Sequence, residues 1–211
     1  MKKGIYRSLA LSGIRKNKKL YLPYILTCTG MVMMCYIVSF IATSSVFTTI
    51  SGGDMVKQLL SMGFGILSVF SLLFLFYTNS FLIRRRKKEF GLYNILGMGK
   101  KNLSLVLLLE NFFICAISLA SGLFLGILFS KFSELAMVKI LRGDTEFTLY
   151  INLTSILQTV ALFAGIFFLL YLNTLRQLHL SNPVELLRSE NTGEKPPKAN
   201  WLVALLGLGI L

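Results

Sequence analysis

The chain has 211 residues, of which 55% are hydrophobic and only 15% are charged, with a formal net charge of +13. A soluble domain of this size would contain about 25% charged residues, so the composition excludes an ordinary soluble globular protein. The apolar residues form long blocks rather than amphipathic stripes, which indicates burial in lipid. The sequence therefore predicts an all-α integral membrane protein.

Residues 1–19 contain seven Lys and Arg residues and no acid. On a short helix, Ile5, Leu9 and Gly13 would share one side, while Lys3 and Arg7 would lie on another. This pattern is typical of a basic amphipathic helix that lies at the membrane interface. A basic tail without helical structure is the alternative.

Four apolar blocks are long enough to cross about 30 Å of hydrocarbon as helices, at ~1.5 Å per residue. They form a predicted four-span unit within residues 20–190, with spans at 20–43, 59–83, 103–129 and 151–172. Pro23 is expected to open the first span. Residues 191–200 are typical of a linker, and residues 201–211 are expected to start a fifth span that is cut short.

The Lys and Arg residues are distributed unevenly along the chain. They number 7, 1, 7, 3 and 4 in the five segments outside the four spans. Because cytoplasmic loops are enriched in Lys and Arg, we expect the N-terminus and loops 84–102 and 173–200 on the cytoplasmic side of the plasma membrane. Membrane lipid then accounts for the positive charge, and no nucleic-acid partner is expected.

Small residues recur at intervals of four in two of the predicted spans. Span three carries Ser118, Gly122 and Gly126, and span four carries Ala161 and Gly165. Small residues at this spacing let helix backbones approach closely in lipid. We therefore expect spans three and four to pack against each other or against a second copy of the bundle.

Glu110 is the one acid inside a predicted span. A carboxylate in hydrocarbon is costly, so such a residue is a functional candidate by default. It lies ~10 Å from the cytoplasmic boundary at helical rise. It either anchors the structure, near the headgroups, paired with a cation or protonated, or it serves transport or gating. Asn111 and Asn79 are expected polar partners across spans two and three.

Catalysis and direct nucleotide binding are not predicted. The segment "NILGMGKKN" places Asn94 and Lys101 where a P-loop requires Gly and Ser or Thr. The sequence has no Ser-His-Asp set, Cys-His pair or HExxH helix, and no metal site is expected.

The stretch "SFLIRRRKKEFGLYNILGMGKKNL", residues 80–103, carries a more specific pattern. Leu92, Ile95 and Leu96 share a face at helical spacing, so a helix outside the membrane would present an apolar patch flanked by charge. A partner protein's groove would take such a patch. The segment Gly97-Met98-Gly99 is expected to end this helix and to turn the chain back into span three.

The segment "RRRKKEFGLYNILGMGKKNL" resembles the signature of the FtsX-like permease family of ABC transporters. The segment "NPVELLR", residues 182–188, resembles the end of that domain, so the resemblance covers residues 60–190. The segment "RKNKKLYLPYILT" is similar to the Bce-type permeases of Gram-positive bacteria, which handle peptide antibiotics. The large extracellular domain of that branch has no counterpart in the two outer loops of this chain.

The resemblance implies a cytoplasmic coupling helix that docks on a separate ATPase subunit, which binds the ATP and Mg²⁺. No cofactor is expected on this chain. The positions that match the coupling motif are Lys88, Glu89, Phe90, Gly91, Leu92, Leu96 and Gly97. Phe90, Leu92 and Leu96 are the expected docking contacts, with Glu89 and nearby cations setting the orientation. The Bce-type branch further implies detoxification of lipid-targeting peptides and signalling to a sensor histidine kinase.

Three functions are therefore compared. The leading hypothesis is a non-catalytic permease subunit of an ABC transporter, represented by its first four-span unit. The first alternative is a transmembrane regulator that transmits ATPase-driven force to an extracytoplasmic partner without transport. The second alternative is a membrane anchor with no ATPase, in which the patch at residues 90–96 faces lipid.

Overall fold

The computed structural model describes residues 2–44, 52–140 and 152–180, and these residues form six helices and no strand. The helices are α1 (Lys2–Lys16), α2 (Lys18–Thr43), α3 (Gly53–Arg85), α4 (Lys87–Ile95), α5 (Lys100–Ile140) and α6 (Leu153–Leu180). Four of them, α2, α3, α5 and α6, are long and apolar enough to cross a membrane. The predicted all-α membrane fold is confirmed. Segments 182–188, 191–200 and 201–211 lie outside the described residues.

The helices extend beyond the predicted apolar blocks. Helix α3 begins at Gly53 rather than at residue 59, and α5 continues to Ile140 rather than ending at residue 129. The polar residues that follow the predicted end of span three stay helical for two reasons. Lys131 and Glu134, one turn apart, form an ion pair at 2.5 Å, and Val138 is buried against α2. Hydropathy detects only the apolar part of a helix, so it does not detect these polar helix ends.

The start of α2 also differs from the prediction. The helix begins at Lys18, and Pro23 lies inside it rather than opening it. The backbone N–H groups of Leu20 and Tyr21 donate to the Asn17 carbonyl at 2.9 and 3.1 Å. The Asn17 N–H donates in turn to the Gly13 carbonyl at 3.1 Å, so α1 runs almost directly into α2. The first turn of α2 therefore forms before the chain reaches Pro23.

Helix α2 is the centre of the bundle and contacts α1, α3, α5 and α6. Its residues Cys28, Val32 and Cys35 are fully buried in a core that α3 and α6 complete with Leu75 and Phe163. Going from the start of α2 to its end, Tyr21, Thr29 and Ser44 bond to α5 residues of rising number: Glu110, Ser121 and Glu134. Helices α2 and α5 therefore run parallel to each other. The bundle is thus built around the α2–α5 pair.

The small residues of α5 face α2, not α6. A Cβ atom at Gly122 would lie 2.6 Å from the Cβ of Val32, and one at Gly126 would lie 2.8 Å from a ring carbon of Tyr36. Ser118, one turn earlier, is also buried. These residues let α2 approach α5 at close range.

Helices α5 and α6 pack against each other, which is one of the two predicted alternatives, but the small residues of α6 do not make this contact. Ala161 and Gly165 are exposed, and no atom lies within 4 Å of a Cβ placed on Gly165. Helix α6 instead turns large side chains inward, among them Phe163, Phe167 and Leu170. Packing of the exposed α6 face against a second copy stays a prediction.

Replacing Gly122 with Ala should lower the free energy of unfolding by about 1–3 kcal/mol, because the new methyl group overpacks the contact with Val32. We would measure unfolding of the detergent-purified chain by SDS titration, followed by circular dichroism. The matched control, Gly165→Ala on the exposed face of α6, should change the free energy of unfolding by about 0.5 kcal/mol or less. Equal losses in the two variants would contradict the close α2–α5 packing.

Candidate functional site

The bundle has a cluster of buried charges where α3 meets α4. Arg86 lies between these two helices and is only 2% exposed, whereas Arg84 and Arg85 beside it are exposed. Its N–H donates to the Ile83 carbonyl at 3.1 Å, and its carbonyl accepts from the Phe90 N–H at 3.2 Å. The turn between the helices therefore directs one cation of the basic run into the protein.

The guanidinium of Arg86 binds the carboxylate of Glu110 on α5 in a two-point ion pair. Its Nη1 lies 2.5 Å from Oε2 and its Nη2 lies 3.1 Å from Oε1. Both side chains are 3% exposed. The Tyr21 hydroxyl donates to Oε2 at 2.8 Å and also accepts from Arg86 Nη1. Of the structural roles predicted for Glu110, pairing with a nearby cation is the one that the structure shows.

The same arginine holds the start of α4. Arg86 Nε donates to Oε2 of Glu89 at 3.0 Å, and Asn17 Nδ2 donates to the other oxygen, Oε1, at 2.7 Å. Glu89 lies in the first turn of α4, where a negative charge also favours the helix dipole. Glu89 therefore ties α4 to the junction between α1 and α2.

Helix α1 closes over the ion pair at Gly13. A Cβ atom there would lie 2.6 Å from Glu110 Oε1 and 3.3 Å from Arg86 Nη2, so only glycine permits this approach without displacing the pair. The guanidinium carbon also lies 5.2 Å from the ring centroid of Tyr21 and 5.1 Å from that of Phe90. We call Asn17, Tyr21, Arg86, Glu89 and Glu110 the Arg86 cluster.

The electrostatics of the cluster favour the charged pair. Burial of Arg86 is the largest single effect and acts against its charged form, but Glu110, Tyr21 and Glu89 together outweigh it. The net result raises the pKa of Arg86 above its ordinary value. The arginine therefore stays charged, and the cluster acts as a fixed joint between the five helices α1 to α5.

The C-terminal end of α4 presents an exposed apolar patch, as predicted. Leu92, Ile95 and Leu96 are 54%, 63% and 74% exposed, and we call these three residues the α4 patch. Helix α4 ends at Ile95, and Gly97 follows with φ of 88°, a conformation that favours glycine. The predicted break after the helix is confirmed.

Phe90 does not belong to this surface. It is 3% exposed and packs against Ile83, Leu103, Leu107 and Leu178. The expectation that Phe90 is a docking contact is therefore wrong in this structure, because its ring anchors α4 to the bundle under the Arg86 guanidinium. Of the other motif positions, Gly91 is also buried and Lys88 is exposed.

Asn79 and Asn111 lie near the cluster but do not pair across α3 and α5 as predicted. Asn79 Nδ2 donates to Thr174 Oγ1 at 3.0 Å, and Asn111 Nδ2 donates to the Phe167 carbonyl at 3.2 Å. Both acceptors are on α6, which packs against α3 and α5 alike. The two amides therefore fasten α6 to its neighbours.

A second buried ion pair lies at the opposite end of the bundle. Lys131 and Glu134 on α5 are 3% and 1% exposed at their side chains, and the Ser44 hydroxyl donates to Glu134 Oε1. Nearby, Thr43 Oγ1 and Ser155 Oγ are hydrogen-bonded at 2.9 Å. This group joins α2, α5 and α6, and it is positioned for structural support rather than for reaction.

Sequence reasoning missed most of the Arg86 cluster. The sequence identifies Glu110, but its partner is one of three consecutive arginines, Arg84 to Arg86, and residue type does not separate these three. Tyr21, Asn17 and Gly13 were not predicted to take part. Two features of the sequence could have identified this ion pair. A buried carboxylate needs a cation, and Arg86 lies at the end of a long span. Among the described residues, no group of His, Cys, Asp and Glu is arranged to hold a metal ion.

Comparison with protein families gives one match in the part of the chain that includes α4. Residues 61–181 match the family model described as "FtsX-like permease C-terminal". The matched segment contains most of α3, all of α4 and α5, and α6. It therefore includes Arg86, Glu89 and Glu110 but not Tyr21 or Asn17.

Three curated relatives are similar to this chain over a larger part of its length, two of them over nearly all of it. The uncharacterized ABC transporter permease YvcS of Bacillus subtilis is 30% identical over 206 residues, which cover 94% of this chain and 31% of the relative. The bacitracin export permease protein BceB of Bacillus subtilis is 26% identical over 211 residues, covering 96% and 32%. The protein of the same name from Halalkalibacterium halodurans is 29% identical over 164 residues, covering 78% and 25%. The chain spans only a quarter to a third of the length of these relatives.

Replacing Glu110 with Leu should lower the free energy of unfolding by about 3–5 kcal/mol, because it leaves the buried Arg86 without its buried counter-ion. The double variant Arg86→Met/Glu110→Leu should regain most of that loss, since neither member of this buried pair is then charged. The free energies of unfolding of the wild type, the single variant and the double variant are measured by SDS titration of the purified chains, followed by circular dichroism.

The matched control is Glu89→Gln, which removes a partner of Arg86 whose side chain is 36% exposed. It should cost about 1 kcal/mol or less. The ion pair would not be the joint described above if Glu110→Leu cost no more than this control.

Proposed function

Because the chain belongs to the FtsX-like permease family, we propose that it is the first four-span unit of a non-catalytic permease subunit of an ABC transporter. In this proposal a separate ATPase subunit binds and hydrolyses ATP with Mg²⁺, and this chain converts the resulting movement into displacement of its spans. The observation that carries the proposal is the α4 patch, an exposed apolar surface on a helix that the Arg86 cluster ties into the bundle.

The α4 patch has the spacing of a helix that docks in a groove. Leu92, Ile95 and Leu96 occupy positions i, i+3 and i+4, so their side chains lie together on one face. The helix also carries Lys88 on its exposed side and Glu89 in its first turn. We infer that the three apolar residues supply the docking area, and that the charged residues set the orientation of the helix on the ATPase.

The Arg86 cluster supports transmission from α4 into the membrane. A displacement of α4 acts on Arg86 and Glu89, which bind Glu110 on α5 and Asn17 at the start of α2. Breaking a buried ion pair costs about 3–5 kcal/mol, so moving α4 and α5 together is cheaper than separating them. The cluster therefore favours rigid movement of α2 and α5 with the coupling helix.

The orientation and the substrate complete the proposal. The excess of Lys and Arg around α1 and α4 supports a cytoplasmic location for both, and hence a cytoplasmic N-terminus in the plasma membrane. The names of the two relatives called bacitracin export permease support export or detoxification of an antimicrobial peptide or lipid-linked substrate. A sensor histidine kinase as a further partner stays a prediction from the Bce-type resemblance.

Substituting Leu92→Asp and Leu96→Asp together should abolish binding of the ATPase subunit, because two charges replace the centre of the apolar docking surface. The measurement is affinity purification of the tagged protein from its native membranes in mild detergent. Mass spectrometry then identifies a co-purified subunit by its P-loop and quantifies it.

The matched control is Phe132→Asp/Ile140→Asp, which adds the same charge at two exposed apolar positions near the far end of α5. This variant should retain the ATPase at the wild-type amount. The proposal fails if no P-loop subunit accompanies the wild type, or if the Leu92/Leu96 variant retains it; residues 90–96 would then be better explained as a membrane anchor.

A further inference from the structure

A groove of about 760 Å³ runs along the membrane-facing surface where α1, α2 and α5 meet. Its walls are almost entirely apolar, and they include Leu22 and Leu26 of α2, which are 65% and 68% exposed, and Ile117 of α5. Tyr21, a member of the Arg86 cluster, contributes to its inner wall. The groove is thus open to lipid on one side and backed by the proposed coupling joint on the other.

Two cations stand at one end of the groove. Arg15, in the last turn of α1, and Lys18, at the start of α2, both line it and both are exposed. Neither has an acidic partner among the residues that the structure describes. Residues 1–19, which include both cations, contain no acid. This end of the groove therefore attracts an anion.

The length of the groove matches one leaflet of a bilayer. The α2 residues that line it run from Lys18 to Thr29, a rise of ~16 Å along a helix, which is about half of a 30 Å hydrocarbon core. At the Thr29 end, Thr29 Oγ1 and Ser121 Oγ are hydrogen-bonded at 2.9 Å between α2 and α5. Each hydroxyl is thereby satisfied, so the deep end presents little polarity to an apolar ligand.

We propose that this groove is a binding site for one anionic glycerophospholipid, with its phosphate between Arg15 and Lys18 and an acyl chain along α2 and α5. Charge at one end, an apolar trough of one-leaflet length and an opening to the bilayer fit this class of ligand. The acyl chain of a zwitterionic phospholipid would also fit the groove, but its headgroup would place a third cation beside Arg15 and Lys18. The bound lipid would brace α1 against α2 next to Tyr21.

The test uses the purified 211-residue chain in neutral detergent, without any ATPase, so its result is independent of the proposed transport function. Phosphatidylglycerol and phosphatidylcholine with matched acyl chains are added at equal concentration, and bound lipid is counted by native mass spectrometry. We expect phosphatidylglycerol to exceed phosphatidylcholine at least fivefold. Equal binding of the two lipids would overturn the proposal.

The cation variants locate the site. Arg15→Gln/Lys18→Gln should weaken phosphatidylglycerol binding about 25-fold, the product of roughly fivefold for each charge near an anionic headgroup. Lys16→Gln/Lys19→Gln removes two neighbouring exposed cations that do not line the groove, and it should retain most of the binding. Arg15→Lys/Lys18→Arg should also bind, which shows that the loss follows charge rather than folding. Equal losses in the two Gln pairs would mean diffuse attraction and would overturn the site.

A second comparison tests the acyl chain. Leu26→Trp fills the trough and should displace the lipid, whereas Met34→Trp, also at an exposed position of α2 but outside the groove, should not. Soluble glycerol phosphate at the same concentration should leave phosphatidylglycerol bound, because it lacks the chain. Displacement by glycerol phosphate, or the same binding in both Trp variants, would reduce the feature to a simple phosphate site and contradict the proposal.

Discussion

The ion pair between Arg86 and Glu110 is the interaction on which the arrangement of this end of the bundle depends. Two opposite charges are removed from solvent at a place where α1, α2, α4 and α5 converge, and Tyr21 satisfies the same carboxylate. Such a pair is costly to bury and more costly to break, so it restricts how the helices can move relative to one another. It is also the reason that Gly13 cannot carry a side chain in this packing.

The overall fold could be read largely from the sequence because the number of spans follows from the length of apolar blocks. Helix ends and helix neighbours could not be read in the same way. The last turns of α5 depend on the pairing of Lys131 with Glu134, which hydropathy scores as unfavourable. The small residues of α5 indicated a close helix contact, but periodicity within one helix does not identify the partner, and here it is α2.

The candidate site was predictable in part for a related reason. The exposure of Leu92, Ile95 and Leu96 follows from helical spacing, which is local information. The burial of Phe90 and the choice of Arg86 from a basic run depend on the direction of the turn between α3 and α4, which is tertiary information. The partners of Asn79 and Asn111 depend on the position of α6, which no motif encodes.

The length of α5 has a mechanical consequence. Its 41 residues give a rod of about 60 Å, roughly twice the hydrocarbon thickness. One end bears Glu110 and its ties to α4, and the other bears the Lys131–Glu134 pair and its contact with Ser44. If such a rod pivots at the bilayer centre, a tilt of about 10° swings each end by about 5 Å in opposite directions. Helix α5 is held at two points along its length, to Arg86 by a buried salt bridge and to Ser44 by the hydrogen bond that Glu134 accepts, so a tilt of α5 moves these two attachments in opposite directions.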